Sequence, residues 1–164
     1  MKRRSLLLFV LVATLAAVGT ARAQKGKGPK FSASAIQIHY VTAADLRLPP
    51  EFQAALYENL IEEVKKTGKF PRIFRDGEKG AGEVKDLVTL RSTVTGFTEG
   101  SARARQVTTV AGATKIKVHV QMSTGDGRMI VDRDIDGNVH FFGENLRATF
   151  NFAKSVGKLV RENF

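Results

Sequence analysis

The chain has 164 residues, no cysteine, and 26 lysines plus arginines against 16 aspartates plus glutamates, a formal net charge of +10. Without cysteine it can form no disulfide, use no thiol nucleophile and carry no acylated lipoprotein cysteine. This length is one domain's worth, and core packing alone must hold it.

Lys2, Arg3 and Arg4 open the chain, and an apolar run from Leu6 to Val18 follows. Ala21-Arg22-Ala23 then supplies a small-x-small exit, the third part of a cleavable export signal. Spanning hydrocarbon takes roughly 20 apolar residues, so the run is short for a membrane anchor. The expectation is cleavage after Ala23, with Ala21 and Ala23 as the recognition pair, and a periplasmic or secreted mature chain starting at Gln24 without a membrane span. The signal holds four basic residues and no acid, so the mature charge falls to +6. That excess could attract polyanions, but no basic cluster with interleaved aromatics marks a specific nucleic-acid site.

Residues 24–34, containing Lys25, Lys27 and Pro29, read as a flexible basic leader, and a single domain spans 35–164. Ile36, Ile38 and Tyr40 alternate with Gln37 and His39, the period of a half-buried strand. Pro49-Pro50 starts a helix whose apolar face is Phe52, Leu56, Leu60 and Val64, widened by Tyr57 and Ile61. Lys65-Lys66 favour its terminal dipole and Gly68 stops it. Ile73-Phe74 suggests a second strand, closed by Asp76-Gly77, and a charged glycine-rich loop runs from Glu78 to Glu83. A third strand follows Asp86, with Val88, Leu90 and Val94 on one side and Arg91, Thr93 and Thr95 on the other. The stretch from Gly100 to Gly112 is the least regular, and its Arg103 and Arg105 are the candidate partner-binding residues, because loops carry recognition more often than sheets. A fourth strand spans Thr114 to Ser123 and a fifth Met129 to Phe141. Leu146, Phe150, Ala153, Val156 and Val160 then step at three and four, predicting a closing helix with these residues inward.

The last two strands permit a register. Ile116, Val118, Val120 and Met122 are apolar at even numbers, whereas Met129, Val131, Ile135, Val139 and Phe141 are apolar at odd ones. With Gly125-Asp126 as a two-residue type II′ turn, facing partners sum to 251. His119 then meets Asp132, Lys117 meets Asp134 and Lys115 meets Asp136 on the wet side. Each such pair contributes about 0.2–1 kcal/mol, which helps register more than stability. Arg133 falls on the inward parity and should reach past the sheet edge.

The same aspartates resemble the start of an EF-hand calcium loop, Asp132, Asp134, Asp136 and Gly137. The twelfth position of such a loop needs a bidentate glutamate and is Gly143 here, and the flanks should be helices. A strand pair accounts for the carboxylates without a metal, so no metal and no cofactor is expected. His39, His119 and His140 lie on polar sides of predicted strands, without zinc spacing. No Gly-x-Ser-x-Gly elbow exists, and the glycines at 77, 80 and 82 lack the Lys-Ser/Thr ending of a phosphate loop. The residues present no catalytic constellation, and the chain reads as a non-enzyme.

From about Leu87 to Phe164 the chain resembles the bacterial family called domain of unknown function 4410. The stretch from Val94 to Arg105 is similar to its strand and small-residue loop, Gly112 to Val118 to the next strand, and Gly127 to Val131 to its hairpin. The resemblance implies an exported α/β domain, related in architecture to the N-terminal domain of TolB and to envelope assembly lipoproteins such as the curli secretion factor. It implies no activity and no site residues. Many members look like lipoproteins; this chain departs by lacking the acylated cysteine.

The expected fold is an α+β two-layer domain: a mixed sheet of about five strands with two amphipathic helices on one face. The expected function is an envelope interaction or assembly module, docking on other envelope proteins through the sheet edge or the 100–112 loop. The alternative is a ligand- or polyanion-binding protein using a cationic surface, with calcium binding a third option. Oligomeric state is not legible.

Overall fold

A computed structural model describes residues 30–100, 114–138 and 146–164. The strands are β1 (Ala35–Ile38), β2 (Thr42–Ala43), β3 (Arg72–Arg75), β4 (Leu87–Thr98), β5 (Lys115–Thr124) and β6 (Met129–Asn138). Two helices, α1 (Pro50–Lys65) and α2 (Arg147–Asn163), pack on one face of the sheet. The order is β3-β1-β4-β5-β6, with β2 also on β4. Pairings of β1 with β3 and β4 are parallel, and those of β4 with β5 and β5 with β6 antiparallel. This is the expected mixed two-layer architecture. The unforeseen strand is β2, which resumes the line of β1 along β4: Ile38 pairs with Leu90 and Thr42 with Thr93, four steps against three. A two-residue strand has no period to read.

Helix α1 forms as its sequence dictates. Pro50 sits in the first turn, where no backbone donor is needed, with Glu51 beside it and Lys65 in the last turn. Thr67 Oγ1 donates to the Val64 carbonyl at 2.6 Å, and Gly68 turns away with φ +63°. Phe52, Leu56, Tyr57, Leu60, Ile61 and Val64 are buried against Ile36, Ile38, Val88 and Leu90 of the sheet. Each such side chain contributes about 1.5–3 kcal/mol of apolar burial.

Helix α2 departs from its reading in its first turns only. Ala153, Val156 and Val160 are buried as expected, joined by Ala148, Phe152 and Leu159, whereas Leu146 and Phe150 are 41% and 37% exposed. Ala148 and Phe152 also step by four into this face, and only the position of the sheet chooses them over Leu146 and Phe150.

Contacts with the body also begin earlier than Ala35. Phe31 N–H donates to the Asn163 carbonyl at 2.7 Å and its ring lies 6.2 Å from Phe164, within the stretch expected to be a loose leader.

The hairpin corrects the register. Lys117 pairs with Asp136, Val118 with Ile135 and His119 with Asp134, a sum of 253 rather than 251. Two extra residues cause this. The turn is a three-residue loop in which Gly127 donates to the Thr124 carbonyl at 2.9 Å and takes φ +85°, while Gly125 is not among the positive-φ glycines. The second is Ile130, left over where Met122 pairs with Val131 and Ser123 with Met129. One extra residue would swap the faces of β6, and two restore them. Hence Val131 and Ile135 are buried and Asp132, Asp134 and Asp136 exposed, as their parity required. Arg133 is exposed on the outermost strand, opposite buried Val120. Residues 139–141 of the expected fifth strand lie outside the described residues.

Candidate functional site

The helices leave the other face of the sheet largely open. At one end it carries a small second cluster, Ala35, Phe74 and Leu87 under Ala81 and Val84. Beyond that its side chains are polar: Thr89, Arg91, Thr93 and Thr95 on β4, Lys115, Lys117, His119 and Gln121 on β5, and the three aspartates on β6.

The ion pairs follow the predicted partners more closely than the register does. Lys117 Nζ reaches Asp134 Oδ2 at 3.4 Å, and His119 Nε2 reaches Asp132 Oδ1 at 3.0 Å, both diagonally. His119 Nδ1 also lies 2.9 Å from Asp134 Oδ1. A neutral imidazole donates from one nitrogen only, so both contacts are hydrogen bonds at once only in the doubly protonated ring. The His119 hydrogen bond, assisted by Lys117, holds the Asp134 carboxyl below the usual carboxylate range. The expected Lys115–Asp136 pair is absent among the described ion pairs: Lys115 faces Asn138 across the ladder, and Asp136 faces Lys117.

The three aspartates, the weak calcium candidates, therefore stand in a row along an extended strand. Same-face neighbours on a strand are about 6.6 Å apart, too spread to converge on one ion without a curled loop. Among the described residues no group of three or more His, Asp or Glu is placed to hold a metal. The glycine that completes the calcium-like spacing has another reason. A Cβ on Gly137 would stand 2.7 Å from the Ala148 carbonyl oxygen and 2.7 Å from Ile116 Cγ1, so glycine lets β6 pass beneath the start of α2.

His39 is likewise structural. Its Nδ1 lies 3.1 Å from Asp76 Oδ1, and Asp76 Oδ2 accepts from the Tyr40 N–H at 3.1 Å. The Asp76 N–H donates to Tyr57 Oη at 2.8 Å, and that hydroxyl donates to the Ile38 carbonyl at 3.2 Å. Backbone donation from Tyr40 and the charge of His39 hold Asp76 below the carboxylate range, while burial pushes the Tyr57 phenol up. Arg75 adds a two-bond fork to Glu58 at 2.6 and 2.8 Å. This network ties the ends of β1 and β3 to α1.

The concave feature of the open face lies at the far end of β4. After Val94 the ladder skips Thr95, and Gly96 pairs with Lys117. A Cβ on Gly96 would stand 3.3 Å from Lys117 Cβ, so the missing side chain leaves a dent. The resulting open depression, about 380 Å³, is lined by Gly96, Thr98, Lys115, Lys117 and Asp136, with Phe97 and Ile116 contributing apolar surface. Lys115 has no described ion pair, and both lysines are exposed. This lining offers Lys115, Lys117 with its ammonium shared with Asp134, a hydroxyl and one carboxylate, which suits an anionic ligand with hydroxyls and provides no nucleophile–base pair. The β4 bulge was not legible, because Val94-Thr95-Gly96-Phe97 reads as an unbroken alternation until the partner strand is known.

The segment 101–113 leaves and rejoins the sheet beside this depression, where the Gly100 N–H donates to Thr114 Oγ1 at 3.1 Å. Arg103 and Arg105 belong to it and lie outside the described residues, as do His140, Ala21 and Ala23.

No family model matches the chain, and no curated protein matches it. Its fold is shared with solved bacterial structures. PelC from Paraburkholderia phytofirmans, a dodecamer, superposes with a TM-score of 0.60 at 8% identity, covering 83% of this chain and 92% of PelC. A hypothetical protein from Chlamydia trachomatis gives 0.53 at 8% identity, covering 79% and 94%. A domain of unknown function 330 protein from Xanthomonas campestris gives 0.50 at 14% identity, covering 80% and 86%. At these identities the likeness is one of fold. Among the described residues no helix is long and apolar enough to cross a membrane.

Proposed function

We propose that the mature chain is an exported, non-catalytic binding module that holds an anionic ligand or polyanion at the β4 bulge. The observation that carries this reading is the depression beside Gly96, lined by Lys115 and Lys117, with Lys115 free of a described ion pair. Arg103 and Arg105, the partner-binding candidates of the sequence, are further cations of this chain. The export signal supplies the extracytoplasmic address. The resemblance to the domain of unknown function 4410 family remains part of the proposal.

Binding of alginate to the mature protein, followed by calorimetry, tests it. Affinity should fall steeply between low and moderate salt as counterions are released or screened. Replacing Lys115 and Lys117 together by alanine should weaken binding, while circular dichroism stays unchanged. Equal uptake of neutral dextran, or affinity indifferent to salt and to both substitutions, would remove this reading.

A second reading, an assembly module, is favoured by the dodecamer formed by PelC and by the ten-residue strand β6, which is the edge of the sheet among the described residues. Light scattering after size exclusion separates the two, because only assembly requires a defined oligomer without ligand.

A further inference from the structure

We infer that the outward face of α2 is a docking surface for an anionic lipid bilayer, independent of the depression at the β4 bulge. The exposed large apolar side chains among the described residues include Leu146 and Phe150, one turn apart on the same side of α2. The Phe150 ring lies 5.7 Å from the Lys66 ammonium and 5.2 Å from that of Lys154. The ring thus lies against two cations, one turn along from Leu146.

The surroundings are basic. From residue 146 onward the chain carries Arg147, Lys154, Lys158 and Arg161 against the single acid Glu162. Lys65 and Lys66 join them from the end of α1, on the same turn as Glu62 and Glu63. Charges partly answered within the protein include Arg147, Lys66, whose Nζ is 2.7 Å from Glu63, and Lys158, 3.8 Å from Glu162. Lys154 has no described ion pair and is exposed.

Charge alone would suit any polyanion. The apolar pair selects the bilayer, because a soluble polyanion gains nothing from an exposed leucine and phenylalanine. At a membrane interface an aromatic ring and an aliphatic side chain enter the headgroup boundary while lysines remain at the phosphates. A cysteine-free chain has no thioether-linked lipid, so reversible adsorption is the contact with a membrane that this face offers.

Vesicle sedimentation of the mature protein tests the inference. It should pellet with phosphatidylglycerol-rich vesicles and remain in solution with pure phosphatidylcholine. Lys154→Ala should weaken binding about fivefold, the effect of roughly one basic charge near an anionic surface. Leu146→Ser with Phe150→Ser should abolish it, and thermal melting should show each variant folded. The chain has no tryptophan, so Phe150→Trp supplies a single reporter, whose emission should shift to the blue on anionic vesicles only. The Lys115→Ala and Lys117→Ala variant should bind vesicles normally, which keeps this result distinct from loss of ligand binding at the bulge. Binding that ignores lipid charge would overturn the inference. So would anionic-vesicle binding that survives Leu146→Ser with Phe150→Ser, or Phe150→Trp emission unmoved by bound vesicles, since either makes the face a generic polyanion surface.

Discussion

Tyr57 joins three elements through one hydroxyl, which donates to Ile38 and accepts from Asp76. Its ring could be placed on the inner face of α1 from spacing alone, but those partners are 19 residues away in either direction and could not be named. Tyr57→Phe keeps the packing and orphans a carbonyl and an N–H, so it should cost about 1–3 kcal/mol in urea unfolding. Asp76 adds a pH dependence. Its carboxyl is held below the carboxylate range by the Tyr40 N–H and His39. A carboxylate depressed in the folded state stabilises fully above its unfolded pKa, and that contribution disappears as pH falls through the folded value. The urea midpoint should therefore drop below about pH 4, near the unfolded aspartate value, and Asp76→Asn should flatten that acid limb. The carboxyl is partly exposed, so solvent screening keeps its share modest.

At the scale of elements, the hairpin separates what patterning can and cannot decide. The alternation of β5 and β6 assigned both faces correctly, because parity survives any even slip. It could not count the residues in the turn, and a two-residue turn was one too few. Gly127 takes φ +85° and Gly125 does not, so Gly127→Ala should cost about 1 kcal/mol while Gly125→Ala stays near neutral in denaturant titration. A type II′ turn predicts the reverse order. Gly137→Ala tests the helix–strand contact: a methyl against the Ala148 carbonyl and Ile116 should destabilise by about 1–3 kcal/mol through overpacking. That glycine looked like part of a cation loop because the aspartates beside it share the spacing. The carboxylates instead line a strand, where His119 and Lys117 meet two of them.

For the whole molecule, the proposed export is the reading most tied to sequence. Intact mass of protein recovered from the periplasm of a Gram-negative host should correspond to a chain beginning at Gln24, and Ala23→Asp should leave the uncleaved precursor. Apart from β2, the order of elements, the mixed sheet, the inner face of α1 and the polarity of the open face were legible in the chain. Each follows from local periodicity, capping and turn chemistry, which act over a few residues. Four features were not: strand β2, the dent at Gly96, the two-step shift of β6 and the exposure of Leu146 and Phe150 at the start of α2. They depend on which strands lie side by side and where the sheet meets the helix. A helix with apolar residues on more than one side has no preferred inner face until a second surface covers one of them. Tertiary packing made that choice, placing Phe152 in the core and leaving Leu146 and Phe150 partly exposed.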